Sequence, residues 1–260
     1  MRTFRLLPLN IILLIVLNSC GIKLGYRHFA EPIVSSSAAL SQGEDGNQYV
    51  VGDDHSITFL QDRLEVSLLP LTAEALNRQF PSISVYPPGN ARANPHDVPH
   101  NPYTYGEWTP PGEAEAPARF TVFQLKVKNY AYPKVQVDPA SIFITSQNGR
   151  HYPALSHSAL VDYYWPYAVA YGGNARANLA ERRALIRRTL FSDEMIFSGQ
   201  ENEGYVVFAN LDNDVEEFTV WIENMALRFD YKGEPVDTVD INYPFEREVY
   251  YAKHRRTGKR

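Results

Sequence analysis

From Thr121 to Lys128 the chain alternates in a way that dictates its own local structure. Thr121, Phe123, Leu125 and Val127 fall on one phase, and Val122, Gln124, Lys126 and Lys128 on the other. A period of two sends successive side chains to opposite faces, so the segment reads as a strand with one face on a core. Leu64, Val66 and Leu68 alternate with Glu65 and Ser67 in the same manner. Further strand-like runs begin at Val135, Ile142, Tyr205, Phe218 and Val236, and Asn148-Gly149 marks a hairpin turn into His151 and Tyr152. About seven short strands with turn signals between them predict a mainly β fold, an antiparallel β-sandwich. The chain has 1 cysteine, so no disulfide can form within it and core burial must hold the fold together.

Two stretches break the alternation. Thr72 is a fitting N-cap for a short helix over Ala73 to Phe80, which Pro81 stops. From about 81 to 118 the chain is dense in proline, which excludes a central strand or a long helix and predicts a long insertion. A second insertion is expected at about 155–191. Its end, Ala180 to Leu190, favours helix, whereas Pro166 is expected to keep Tyr163-Tyr164-Trp165-Pro166-Tyr167 out of a helix interior. Gly89-Asn90-Ala91-Arg92-Ala93-Asn94 recurs as Gly173-Asn174-Ala175-Arg176-Ala177-Asn178, one copy in each insertion. Gly-Asn favours turns, so local geometry alone accounts for the repeat. The sharper expectation is that the insertions meet at one end of the sandwich and present Arg92 and Arg176 to a shared partner.

Arg2 and Arg5 precede an apolar run from Leu6 to Leu17, then Asn18, Ser19 and Cys20. The run is too short to span a bilayer, which takes about 20 residues, and has the layout of a cleaved signal. Leu17, Ser19 and Cys20 resemble the lipobox of bacterial lipoproteins, with Asn18 departing from it. The resemblance implies signal removal from residues 1–19 and acylation of Cys20. It also implies anchoring in membrane lipid, at the outer membrane in a Gram-negative cell. Residues 20–55, polar and without period, read as a tether reaching roughly 30–35 Å. The domain is expected over 56–250, and the basic residues 251–260 as a disordered tail.

The balance of 25 basic and 30 acidic residues, net −5, opposes a general affinity for nucleic acid. No catalytic constellation stands out. His96-Asp97-Val98-Pro99-His100 has two histidines four apart, but its prolines deny the helix that would aim both at zinc. Asp53-Asp54-His55 reads as a solvated turn. Asp212-Asn213-Asp214 reads as a hairpin without the glycine and distant glutamate of a calcium loop. Ser156, Ser158, His151, His157 and Asp162 lie close in sequence without a framing motif. No cofactor or metal is expected. Arg183 and Arg187 share a helix face, and Arg182 and Arg188 flank them; a solvated stripe is the expectation.

Phe123-Gln124-Leu125-Lys126-Val127-Lys128-Asn129, the Pro139 to Ile144 strand and Phe197-Ser198-Gly199 before Glu203-Gly204-Tyr205-Val206-Val207-Phe208 resemble the immunoglobulin-like domain of many uncharacterised bacterial lipoproteins. The resemblance spans roughly Phe120 to Phe229 and implies an immunoglobulin-like sandwich without an established reaction. The aromatic, proline-rich insertions point to a non-enzymatic binding or assembly module contacting an envelope protein. Arg92, Arg176, Trp108, Trp165 and Tyr164 are its expected contact residues. The alternatives are a carbohydrate- or peptidoglycan-binding module stacking sugars on Trp108, Trp165 and Tyr164, and a metal-dependent envelope hydrolase.

Overall fold

The strand-forming alternation resolves into fourteen strands among the described residues, in a computed structural model that covers 26–30, 32–38, 48–85, 101–109, 117–171 and 174–253. These are β1 (Tyr26–Ala30), β2 (Val34–Ser35), β3 (Gln48–Val51), β4 (Ile57–Gln61), β5 (Leu64–Leu71), β6 (Phe120–Asn129), β7 (Lys134–Val135) and β8 (Ile142–Ser146). Then follow β9 (His151–Pro153), β10 (Ile196–Phe197), β11 (Gln200–Ala209), β12 (Glu217–Phe229), β13 (Pro235–Glu246) and β14 (Val249–Lys253). The α-helices among the described residues are α1 (Ala73–Gln79), α2 (His157–Tyr171) and α3 (Asn174–Thr189). Two units are distinguished, Met1–Phe29 with Tyr250–Arg260, and Ala30–Val249. In the first, β1 pairs with β14, so part of the expected tail is strand.

The larger unit contains two five-stranded sheets, in the orders β11-β6-β5-β4-β3 and β2-β13-β12-β8-β9. Every ladder in them is antiparallel. The chain crosses from one sheet to the other between β6 and β8, between β9 and β11, and again between β11 and β12. It returns so that β11 lies beside β6 and β12 between β8 and β13. That is the Greek-key order of an immunoglobulin-like sandwich. Phe123, Leu125 and Val127 from one sheet and Ile144, Val220 and Tyr243 from the other belong to the same buried cluster. The hydroxyl of Tyr243 crosses that core to donate to the Val66 carbonyl at 2.8 Å.

Two expectations need correction. β2 and β3 lie within the stretch read as a tether, and pair with β13 and β4 respectively. Both are short, so they carry little periodic signal. Asp212-Asn213-Asp214 is not a hairpin, because β11 and β12 belong to different sheets. The buried Arg247 holds this crossing, donating from Nε to the Val215 carbonyl and from one terminal nitrogen to those of Leu211 and Asp212.

The sheet that contains β6 has two different outer faces. Val122 pairs with Val207 and Phe120 with Ala209, and here the outer face is apolar. Further along β6, Lys126 lies opposite Glu203 and Lys128 opposite Glu201, and the face is charged. Lys126 contacts Glu201 at 2.9 Å, and Lys128 contacts Glu65 at 2.8 Å. The apolar half is covered by a third layer. Phe120, Val122, Tyr205 and Val207 form a second buried cluster with Leu76 of α1, Leu160 and Tyr164 of α2, and Ile186 of α3.

Candidate functional site: an arginine-rimmed groove on a helical hairpin

The third layer is built from both insertions. Ser156 starts α2, its hydroxyl accepting the Ala159 N–H at 3.2 Å, so this serine is a helix cap. Leu160, Tyr164 and Ala168, four apart, face inward and are buried. Contrary to expectation, α2 runs straight through the aromatic cluster with Pro166 inside it. Pro166 is exposed, so water can satisfy the carbonyl its missing N–H leaves free, and inward packing compensates for the lost bond. At the far end of α3, Leu190 bridges to Tyr205 and the Phe191 N–H donates to the Tyr205 carbonyl at 3.0 Å.

Residues 101–109 of the first insertion pack against this hairpin. The Arg119 guanidinium lies 4.0 Å from the Tyr105 ring centroid and donates to the Asn101 carbonyl and, at 3.0 Å, to the Tyr164 hydroxyl. That hydroxyl donates to the Pro102 carbonyl, and the Arg182 guanidinium lies 4.7 Å from the Tyr164 ring centroid. Tyr103 pairs its hydroxyl with Thr189 of α3. Burial pushes the Tyr164 hydroxyl above the usual phenol range, opposed by the two guanidinium groups. Burial also pushes Tyr103 well up. Neither tyrosine ionises near neutral pH. Cation–π contacts of Arg119 and Arg182 with the Tyr105 and Tyr164 rings help cement this joint.

The outward side of the hairpin has a different chemistry. Val161, Trp165 and Val169 recur every four residues on α2 and face Ala180, Arg183 and Arg187 of α3 across a groove. Leu179, Ala168 and Ala184 complete its walls, and its volume is about 590 Å³. Trp165 and Val169 are 57% and 58% exposed, unusual for large apolar side chains so close together. Arg183 and Arg187 are exposed and make no ion pair with a described residue. The groove can bury apolar surface and engage carboxylates.

Sequence reasoning located part of this site. Trp165 lies in the groove, and Arg183 and Arg187 share a face, as expected. Arg182 does not join their stripe, being buried inside the joint. Tyr164 is only 1% exposed and holds the layer together, so it cannot contact a partner. Trp108 is half-buried against Tyr105, with ring centroids 5.7 Å apart, and is not part of the groove. The insertions do meet, but on the outer face of a sheet; Arg176 belongs to α3, while Arg92 lies outside the described residues. So do Cys20, His96 and His100. Val161 and Val169 were missed, although their spacing around Trp165 was visible.

The remaining candidate clusters have structural work. Asp54 accepts from the Ser56 N–H and hydroxyl in the turn between β3 and β4, which holds its carboxyl below the usual range. Asp212 and Asp214 both bind Arg150. His151 packs on Phe143, ring centroids 4.5 Å apart. Among the described residues, no group of three or more His, Cys, Asp or Glu side chains is arranged to hold a metal. None of the described helices is long and apolar enough to cross a membrane.

No family model matches the chain, and no curated protein matches it in sequence. Among solved structures, the collagen adhesin of S. aureus is similar at 10% identity, over 88% of this chain and 81% of that one, with a TM-score of 0.21. The immunoglobulin-like arrangement follows from the strand order of the two sheets.

Proposed function

We propose that this chain is a lipid-anchored cell-envelope protein that acts as a non-enzymatic binding or assembly module. The observation that carries the binding reading is the open groove between α2 and α3, where Trp165 and Val169 remain exposed beside two arginines without described ion-pair partners. An exposed aromatic anchor with an arginine beside it is the composition of an interaction hot spot. A sandwich that fixes such a hairpin on its outer face supplies a rigid platform. Anchoring rests on the Leu17-Asn18-Ser19-Cys20 signal, in which several acyl chains on Cys20 would make attachment stable.

The two halves of the proposal are tested separately. Replacing Cys20 with Ser should move the protein from the membrane to the soluble fraction; retention in the membrane contradicts lipid anchoring. Affinity recovery of the full chain from detergent-solubilised membranes should yield a stoichiometric partner that is lost with Trp165→Ala. Recovery indifferent to Trp165 contradicts the groove as the binding surface.

A further inference from the structure

We infer that the groove receives an acidic amphipathic helix of a partner protein, an inference that rests on the binding reading above and names the partner's chemistry. The length fits a helix. From Val161 to Val169 the apolar wall of α2 runs nine residues, about 12 Å between the end residues, or a little over two helical turns. The shape fits as well. Most of the lining residues are exposed, so the site is an open trough on which a rod can lie. An acyl chain needs walls that close around it. The small side chains of Ala180 and Ala184, one turn apart on α3, let another helix approach closely between the larger Trp165 and Val169 and the arginines.

Charge sets the polarity of the occupant. Arg183 and Arg187 are four apart, so their stems leave the same face of α3 about 6 Å apart along its axis. Carboxylates one turn apart on a facing helix repeat at that spacing. The occupant therefore carries large apolar residues at i, i+3 or i+4 and i+7, flanked by glutamate or aspartate on the edge that meets α3. Guanidinium–carboxylate pairing at this edge sets register and orientation, while burial of Trp165 and Val169 supplies most of the affinity.

The test uses the full chain in detergent and two synthetic helical peptides of about eighteen residues. Both have a leucine face; one carries glutamates at its edge and the other lysines at the same positions. Fluorescence anisotropy should show the glutamate peptide binding at least about tenfold more tightly than its lysine twin. Arg183→Glu with Arg187→Glu should reverse that preference, and Trp165→Ala should weaken both peptides. Circular dichroism of the variants, altered only at exposed positions, should match that of the parent. Equal binding of the two peptides, binding of neither, or self-association abolished by Trp165→Ala overturns the inference. So does attachment to anionic vesicles that the glutamate peptide fails to displace. If partner recovery depends on Trp165 but the glutamate peptide does not compete, the binding reading survives and this inference fails. If recovery is indifferent to Trp165, both fail.

Discussion

Single side chains secure the points where the sandwich changes direction. Asn129, fully buried at the end of β6, accepts from the Ala131 and Tyr132 N–H groups and donates to the Tyr132 and Ile196 carbonyls. Each buried backbone group orphaned by its loss costs about 1–3 kcal/mol, so Asn129→Ala should destabilise the domain by about 2–4 kcal/mol in chemical denaturation. Arg150 clasps Asp214 and Asp212 on the crossing between the sheets. Hydrogen bonds from Arg150 hold the Asp214 carboxyl below its ordinary value. A depressed carboxylate favours the fold above its unfolded pKa, about 3.9, and that contribution is lost as pH falls through the folded value. Stability should therefore decline on acidification below about pH 4, and less so in Arg150→Met. The effect is small and weakens in salt, because the pair is exposed. An equal acid dependence in both proteins contradicts the assignment.

At the scale of elements, the close approach between β11 and residues 190–191, just past the end of α3, fixes the helical layer to the sandwich. A Cβ on Gly204 would meet the backbone nitrogen and Cα of Phe191 at 2.5 Å. Backbone cannot rotate aside, so Gly204→Ala should destabilise the protein by at least about 1–3 kcal/mol and loosen the hairpin, read as faster amide exchange in α2 and α3. The strands were legible where one face is buried, as in β5 and the charged half of β6. The first half of β6 already held the signal of a third layer, since Phe120 and Val122 put apolar side chains on the phase that otherwise carries Gln124, Lys126 and Lys128. Where local propensity conflicts with packing it misled, because Pro166 argued against a helix that burial of Leu160, Tyr164 and Ala168 sustains. Of the groove, Trp165 and the two arginines were readable one at a time. That they face each other depends on α2 and α3 lying antiparallel, which no local pattern reveals.

In the whole molecule, the side chains that hold the fold are distinct from those the fold presents. The joint of Arg119, Tyr103 and Tyr164 is buried and structural; in the groove, Trp165, Val169, Arg183 and Arg187 are exposed and free to vary at little cost to folding. Arg183→Glu with Arg187→Glu should leave the unfolding free energy unchanged within about 0.5 kcal/mol while abolishing partner recovery. The most direct test places a photo-cross-linking residue at Val169 of the full chain in intact cells, and in a second protein at Tyr231, which is exposed on the turn before β13. Position 169 should yield one discrete cross-linked product, absent when Arg183 and Arg187 are reversed in charge, and position 231 none of that mass. The same product from both positions, or none from 169, would contradict the groove as the binding surface.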